Sequence, residues 1–229
     1  LKKLGCFLKG ELERGIGIWF PSTGPMKEIL VYSDTDWAGC KQTRKGTSSC
    51  HLEIGGCTIY SHSRTHVAPS LSSGGCEWYG GVSAASEALG VQAVMQFLIG
   101  EKLPIRLLMD SSAARGIAER QGLGKIRHLD TRTLWLQQKV KEGQIKMGKT
   151  EGKWNKADFG TKAVSRETLD RLMPRCGLHD TERLTKLLAG QHHEKREALL
   201  LESESPEKAG LEDIIKVAIS VAMAIYKSK

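Results

Sequence analysis

Residues 28–34 read Glu-Ile-Leu-Val-Tyr-Ser-Asp. A β-branched and aromatic run that reaches an acid has the composition of a strand ending at a carboxylate. Before it, Pro21-Ser-Thr-Gly24-Pro25 is a turn cluster. After it, Thr47–Ile54 and Thr58–Ser63 read as two more strands, with Gly55-Gly56 as the hairpin turn between them. Three successive strands predict an antiparallel meander. A helix from about Ser72 to Gly100 follows, with Ala84, Ala88, Val91, Met95 and Leu98 at helical spacing. Gly74, Gly75, Gly80 and Gly81 make its first turns poor in propensity. The run from Pro104 to Met109 is a second strand that reaches an acid, Asp110. A helix over Ser111–Arg120, a glycine loop, a helix over Ile126–Lys141 and a strand over Gln144–Lys149 come next. A helix capped near Asn155 then carries Asp158. This order of elements predicts an α/β fold with a mixed sheet.

The chain has 229 residues, a net charge of +8 and 40% hydrophobic residues, which excludes wholesale disorder. Residues 1–178 carry 26 Lys+Arg against 17 Asp+Glu, while residues 179–229 carry 8 against 9. The basic excess therefore belongs to the first part, the candidate for contact with a polyanion. A positive surface that only maintains solubility is the alternative. No signal-peptide pattern opens the chain. The apolar stretch Ile214–Tyr226 is interrupted by Lys216 and Ser220. It is shorter than the roughly 20 residues a membrane span needs, so no membrane is expected as partner. The start at Leu1 suggests a piece of a longer polypeptide. The six cysteines lack metal-ligand spacing and read as reduced thiols in an intracellular compartment.

Four acids stand out by position. Asp34 and Asp110 follow strands, and Glu77 and Asp158 lie in the first turns of helices. Strand carboxyl ends on one sheet edge form a natural ligand crevice. Four unpaired carboxylates gathered there would raise each other's pKa, and divalent cations with a preference for hard oxygen ligands relieve that repulsion. The chemistry that uses such a cluster is two-metal phosphoryl transfer. A surface or capping role is the alternative for any single acid, and Asp36 is the rival for the first position.

The motifs around these acids resemble the ribonuclease H domain that closes the polyprotein of copia-type LTR retrotransposons. Tyr32-Ser-Asp-Thr-Asp-Trp-Ala-Gly39 looks like the family's Y-S-D-x-D-W-A-G, and Thr43-Arg-Lys-Gly-Thr-Ser48 its T-R-x-S-T-S. Leu71-Ser-Ser-Gly-Gly-Cys-Glu77-Trp-Tyr79 is similar to its S-S-x-E-A-E-Y helix start. Met109-Asp110-Ser-Ser-Ala-Ala114 resembles its D-N-x-x-A block, and Ile126-Arg-His-Leu-Asp130 its R-H-I-D segment. Asn155-Lys-Ala-Asp158-Phe-Gly-Thr-Lys162 resembles its N-x-A-D-x-x-T-K close. The resemblance covers about residues 1–165. It departs from the family at Gly75, where an acid is usual, at His66 in place of Gln, and at Ser111 in place of Asn.

The resemblance implies a ribonuclease H-like fold, a five-stranded mixed sheet flanked by helices, here with an extra helical C-terminal tail. It divides the chain into the end of a reverse-transcriptase segment (1–26), the ribonuclease H-like domain (27–164) and a tail of unknown role (165–229). It implies cleavage of the RNA strand of an RNA:DNA hybrid with two Mg2+ ions, or Mn2+, held by Asp34, Glu77, Asp110 and Asp158. The reverse-transcriptase part of the polyprotein would be a further partner. The implied location is cytoplasm or nucleus, within a virus-like particle for an active element. A nucleic-acid-binding relic without catalysis, or a domesticated fragment acting through a partner, is the competing reading. For substrate contact, Lys125, His128, Arg132 and Lys139 fall on one side of the expected 126–141 helix and form a candidate phosphate ridge. A solvated basic face is the alternative. Trp37 is a candidate for stacking on a base or sugar, or a core residue, and Trp78 reads as core.

Overall fold

A computed structural model describes residues 15–20, 26–124, 128–187 and 189. Lys125, the start of the expected reverse-transcriptase segment (1–14) and the expected helical tail from 190 onward lie outside the described residues. The chain divides into two compact units, Ile16–His179 and the pair Leu1–Gly15 with Asp180–Lys229. In the second unit, residues 181–187 are helical, and the Asp180 side chain accepts from the Arg183 N–H at 2.8 Å.

The first unit is built on a five-stranded sheet. Strand β1 (Ile16–Ile18) stands apart and pairs with β7 (Leu178–Asp180). The main sheet holds β2 (Ile29–Asp36), β3 (Thr47–Ile54), β4 (Cys57–Thr65), β5 (Ile105–Met109) and β6 (Ile145–Lys149), in the order β4-β3-β2-β5-β6. The meander β2-β3-β4 is antiparallel, and β5 and β6 add in parallel. Gly55 and Gly56 turn the hairpin with φ of 58° and 78°, left-handed values that L side chains rarely adopt.

Helix α1 (Ser73–Ile99) covers one face of the sheet. Ser72 caps it by accepting the Gly75 N–H, and Gly100 ends it. The glycines in its first turns have a packing reason. A Cβ on Gly80 would lie 2.4 Å from Thr35 Cγ2, and one on Gly81 2.9 Å from Met109 Cε. Larger residues would hold the helix away from β2 and β5, so the low propensity read from the sequence permits a close approach. By length and composition alone α1 is apolar enough to cross a membrane. Its buried face, with Trp78, Ala84, Ala85 and Ala88 fully enclosed, makes it the core helix of the domain. Trp78 donates its indole N–H to Thr133 Oγ1 at 2.7 Å.

Residues alternate across a strand. Ser33 and Thr35 meet α1, whereas Tyr32 and Asp34 face the segment 155–179. There Lys156 pairs with Glu53 and lies 5.3 Å over the Tyr32 ring, and the Thr58 hydroxyl donates to the Cys176 carbonyl at 2.8 Å. This segment contains helix α4 (Arg166–Leu172) and buries Leu172, Cys176 and His179. Residues 165–179 thus pack with the sheet, and the compact unit runs past the expected boundary at 164.

Helix α2 (Ser112–Glu119) follows β5, with Ser111 as its cap. The single helix expected over 126–141 is instead a 3-10 turn at Thr131–Thr133 followed by α3 (Trp135–Lys141). Asp130 starts the turn by accepting the Arg132 N–H, and the Thr133 hydroxyl donates to the Asp130 carbonyl. These local bonds compete with a continuous helix.

Candidate metal centre and nucleic-acid site

Four pieces of chain bring the acids forward. Asp34 sits near the end of β2, on the face opposite α1. Asp110 directly follows β5, the parallel neighbour of β2. Glu77 comes from the second turn of α1. One carboxylate oxygen from each of Asp34, Glu77 and Asp110 lies within 4.8 Å of the others. Asp158 rides on the 3-10 segment Lys156–Gly160. Asn155 caps that segment by accepting the Ala157 N–H at 3.2 Å, and donates its amide to the Ser33 carbonyl at 2.9 Å. This fully buried side chain ties the Asp158 turn to β2. Asp158 stands outside the tight group of three. Lys162 links it to that group, with Nζ 3.4 Å from Asp158 Oδ1 and 4.0 Å from Asp34 Oδ2. The Thr161 hydroxyl also donates to Asp34 Oδ2.

Asp36, the rival for the first position, is absent from the group and turns back on Gly39, where a Cβ would fall 1.6 Å from Asp36 Oδ2. Among the described residues, Glu77 Oε2 is buried without a hydrogen-bond partner. A hard divalent cation suits this donor set, because it satisfies the orphaned oxygen and neutralises three converging carboxylates. The group Asp34, Glu77 and Asp110 could therefore hold a metal ion.

The electrostatics carry the same signature. Glu77 is pushed up to about 8, first by burial and then by the charges of Asp34 and Asp110. Asp34 is pushed up to about 6, chiefly by burial, with the Thr161 hydrogen bond opposing and Asp158 adding to the rise. A carboxylate with a raised folded-state pKa stabilises the fold below its unfolded value of about 4.3, and that contribution is lost as pH rises through the folded value. Glu77→Gln is therefore expected to raise stability in chelator at pH 8.5 by roughly 2–4 kcal/mol, with little change at pH 4. The variant should also lose most of the melting-temperature gain that Mg2+ gives the wild type. Thermal melts at the two pH values, with and without Mg2+, check this.

The residues expected to contact substrate sit on separate elements. Arg132, on the 3-10 turn, donates to Asp130 Oδ2 through Nε at 3.0 Å and Nη2 at 2.7 Å. Lys139, on α3, lies 3.4 Å from Glu142 Oε2. His128 Nε2 is 3.2 Å from Ser72 Oγ at the start of α1. Trp37 is 49% exposed, and its indole N–H donates to the Ser70 carbonyl at 2.9 Å. Thr161 and Lys162 are the residues near the acids to which the sequence reading gave no role. They form the T-K of the Asn155–Lys162 block, and the spacing of Lys162 four residues after Asp158 lets the two side chains meet.

The sheet order, with parallel strands added beside the antiparallel meander and helices against it, is that of a ribonuclease H-like fold. No protein-family model matches the chain. Over 149 residues, 65% of its length, the chain is 24% identical to the Retrovirus-related Pol polyprotein from transposon TNT 1-94 of Nicotiana tabacum. It spans 11% of the length of that relative. Among solved structures, the N-terminal RNase H domain of rv2228c from Mycobacterium tuberculosis aligns with a TM-score of 0.43 and 15% identity, over 66% of this chain and 98% of that one. LC11-RNase H1 in complex with an RNA/DNA hybrid aligns with a TM-score of 0.41 and 15% identity, over 64% and 99%.

Proposed function

We propose that this chain is the ribonuclease H domain of a copia-type retrotransposon polyprotein, hydrolysing the RNA strand of RNA:DNA hybrids during reverse transcription. The observation that carries this reading is the convergence of Asp34, Glu77 and Asp110 within 4.8 Å. Asp158 completes a four-acid set for two Mg2+ ions, with Mn2+ as a substitute. Bound there, such ions would supply activation of the attacking water and charge stabilisation at the leaving 3′-oxygen. The chain's own part is positional. Asp34 and Asp110 are fixed by adjacent strands, Glu77 by a helix packed through glycine, and Asp158 by the buried Asn155. Trp37 offers a half-exposed ring for stacking, and Lys125, His128, Arg132 and Lys139 offer phosphate contacts once Arg132 and Lys139 leave their local acids. The upstream reverse-transcriptase part would be the neighbouring domain, in an intracellular particle.

The test compares three labelled duplexes of one sequence, RNA:DNA, RNA:RNA and DNA:DNA, incubated with the chain and Mg2+. Cleavage confined to the RNA strand of the hybrid, leaving 5′-phosphate and 3′-hydroxyl ends, is the expected result, since the 2′-hydroxyl distinguishes the strands. Binding of the hybrid without cleavage would assign the chain to a non-catalytic relic of the fold.

A further inference from the structure

We infer that Lys162 is a resident counter-cation that competes with a divalent ion for Asp34 and Asp158. It thereby separates a tight ion position at Asp34, Glu77 and Asp110 from a weaker one that needs Asp158. The inference rests on the metal reading above and adds a positioning residue to it.

The geometry sets up the competition. The Lys162 ammonium reaches both carboxylates, 4.0 Å from Asp34 Oδ2 and 3.4 Å from Asp158 Oδ1. These two acids are nearly enclosed, at 5% and 14% side-chain exposure, whereas Lys162 is 53% exposed. The lysine can therefore withdraw its head into water by a change of rotamer, while the carboxylates stay in place. Asp34 is held by the Thr161 hydroxyl and Asp158 by the capped turn. The neighbouring Lys156 is engaged with Glu53 and the Tyr32 ring. Lys162 is thus the cation that bridges this pair among the described residues. A single positive charge here partly neutralises the same oxygens that a second divalent ion would use. The ion carries twice the charge and replaces the lysine when its concentration is high enough. Asp110 and Glu77 face the site from β5 and α1 and are not bridged by the lysine.

The test is calorimetric titration of the full chain with MnCl2 and, separately, MgCl2. Wild type is expected to show a tighter and a weaker binding step. Lys162→Met should tighten the weaker step by about tenfold, the scale of one unit charge removed from a partly solvated pair. Lys162→Arg, which keeps the charge, should leave both steps near wild type, and Asp158→Asn should remove the weaker one. Lys162→Gln serves the same comparison if the methionine variant does not fold. Equal or weaker affinity in Lys162→Met would overturn the lysine's role and leave the metal centre standing, since a residue that merely holds Asp158 in place would weaken binding when lost. Absence of divalent binding in the wild type would overturn the metal reading, and this inference with it.

Discussion

Asp110→Asn is expected to lower hydrolysis of an RNA:DNA hybrid by about a thousandfold or more, the upper scale for losing one group aimed at reaction charge. Asparagine keeps the shape of the side chain and removes the charge of one of the three converging carboxylates. The carboxylate leaves β5 beside β2, and Gly152 allows the backbone close to it, since a Cβ there would lie 3.3 Å from Asp110 Oδ2. The fold should therefore tolerate the change. Hybrid binding should persist or tighten, because one negative charge has gone from the phosphate-facing side. A filter-binding isotherm beside the cleavage time course separates the two effects. Loss of binding in parallel with cleavage would move Asp110 from chemistry to substrate contact.

Ending the chain after Val164 is expected to destroy cooperative unfolding of the sheet. Residues 165–179 supply the buried Leu172, Cys176 and His179 to the face opposite α1. They also supply the carbonyl that accepts from Thr58, and the Arg175 guanidinium 4.0 Å over the Trp154 ring. Removing one buried leucine costs about 2–5 kcal/mol, a large share of the roughly 5–15 kcal/mol that holds a domain together. A chain ended at residue 187 keeps all of these contacts and should melt in one transition. Circular dichroism melts of the two truncations check this, and a sharp wild-type-like transition in the shorter one would show that the second face needs no cover.

Much of the site was legible because its residues sit where local patterns are strong. The strand into Asp34, the hairpin at Gly55-Gly56, and α1 between Ser72 and Gly100 follow from periodicity and turn chemistry. Those elements carry two of the three converging acids, and the short strand before Asp110 carries the third. The alternation of β2 left Asp34 and Asp36 on one face, so only the tertiary fold, with Asp36 against Gly39, decides between them. The charge partition at 178 falls beside the unit boundary at His179, whereas motif coverage stopped near 165. The motifs track the acids, whereas the cover beyond Lys156 on the face opposite α1 comes from residues 165–179, which carry no motif. His51 and Glu53 on β3 are buried, 3.0 Å apart, with Lys156 on the same Glu53 oxygen. Such a long-range pairing leaves no local pattern in the sequence. The basic residues would share one face only on a continuous helix. Asp130 and Thr133 break that helix, leaving Arg132 and Lys139 on different elements.

The most direct measurement is the rate of RNA-strand hydrolysis in a hybrid as Mg2+ is titrated into the full chain, with a chelator control and Asp110→Asn alongside. Hydrolysis that appears with Mg2+, stops with chelator and is lost in the variant is expected if Asp34, Glu77 and Asp110 form a catalytic metal centre. Hydrolysis that continues in chelator, or that survives in Asp110→Asn, would contradict it.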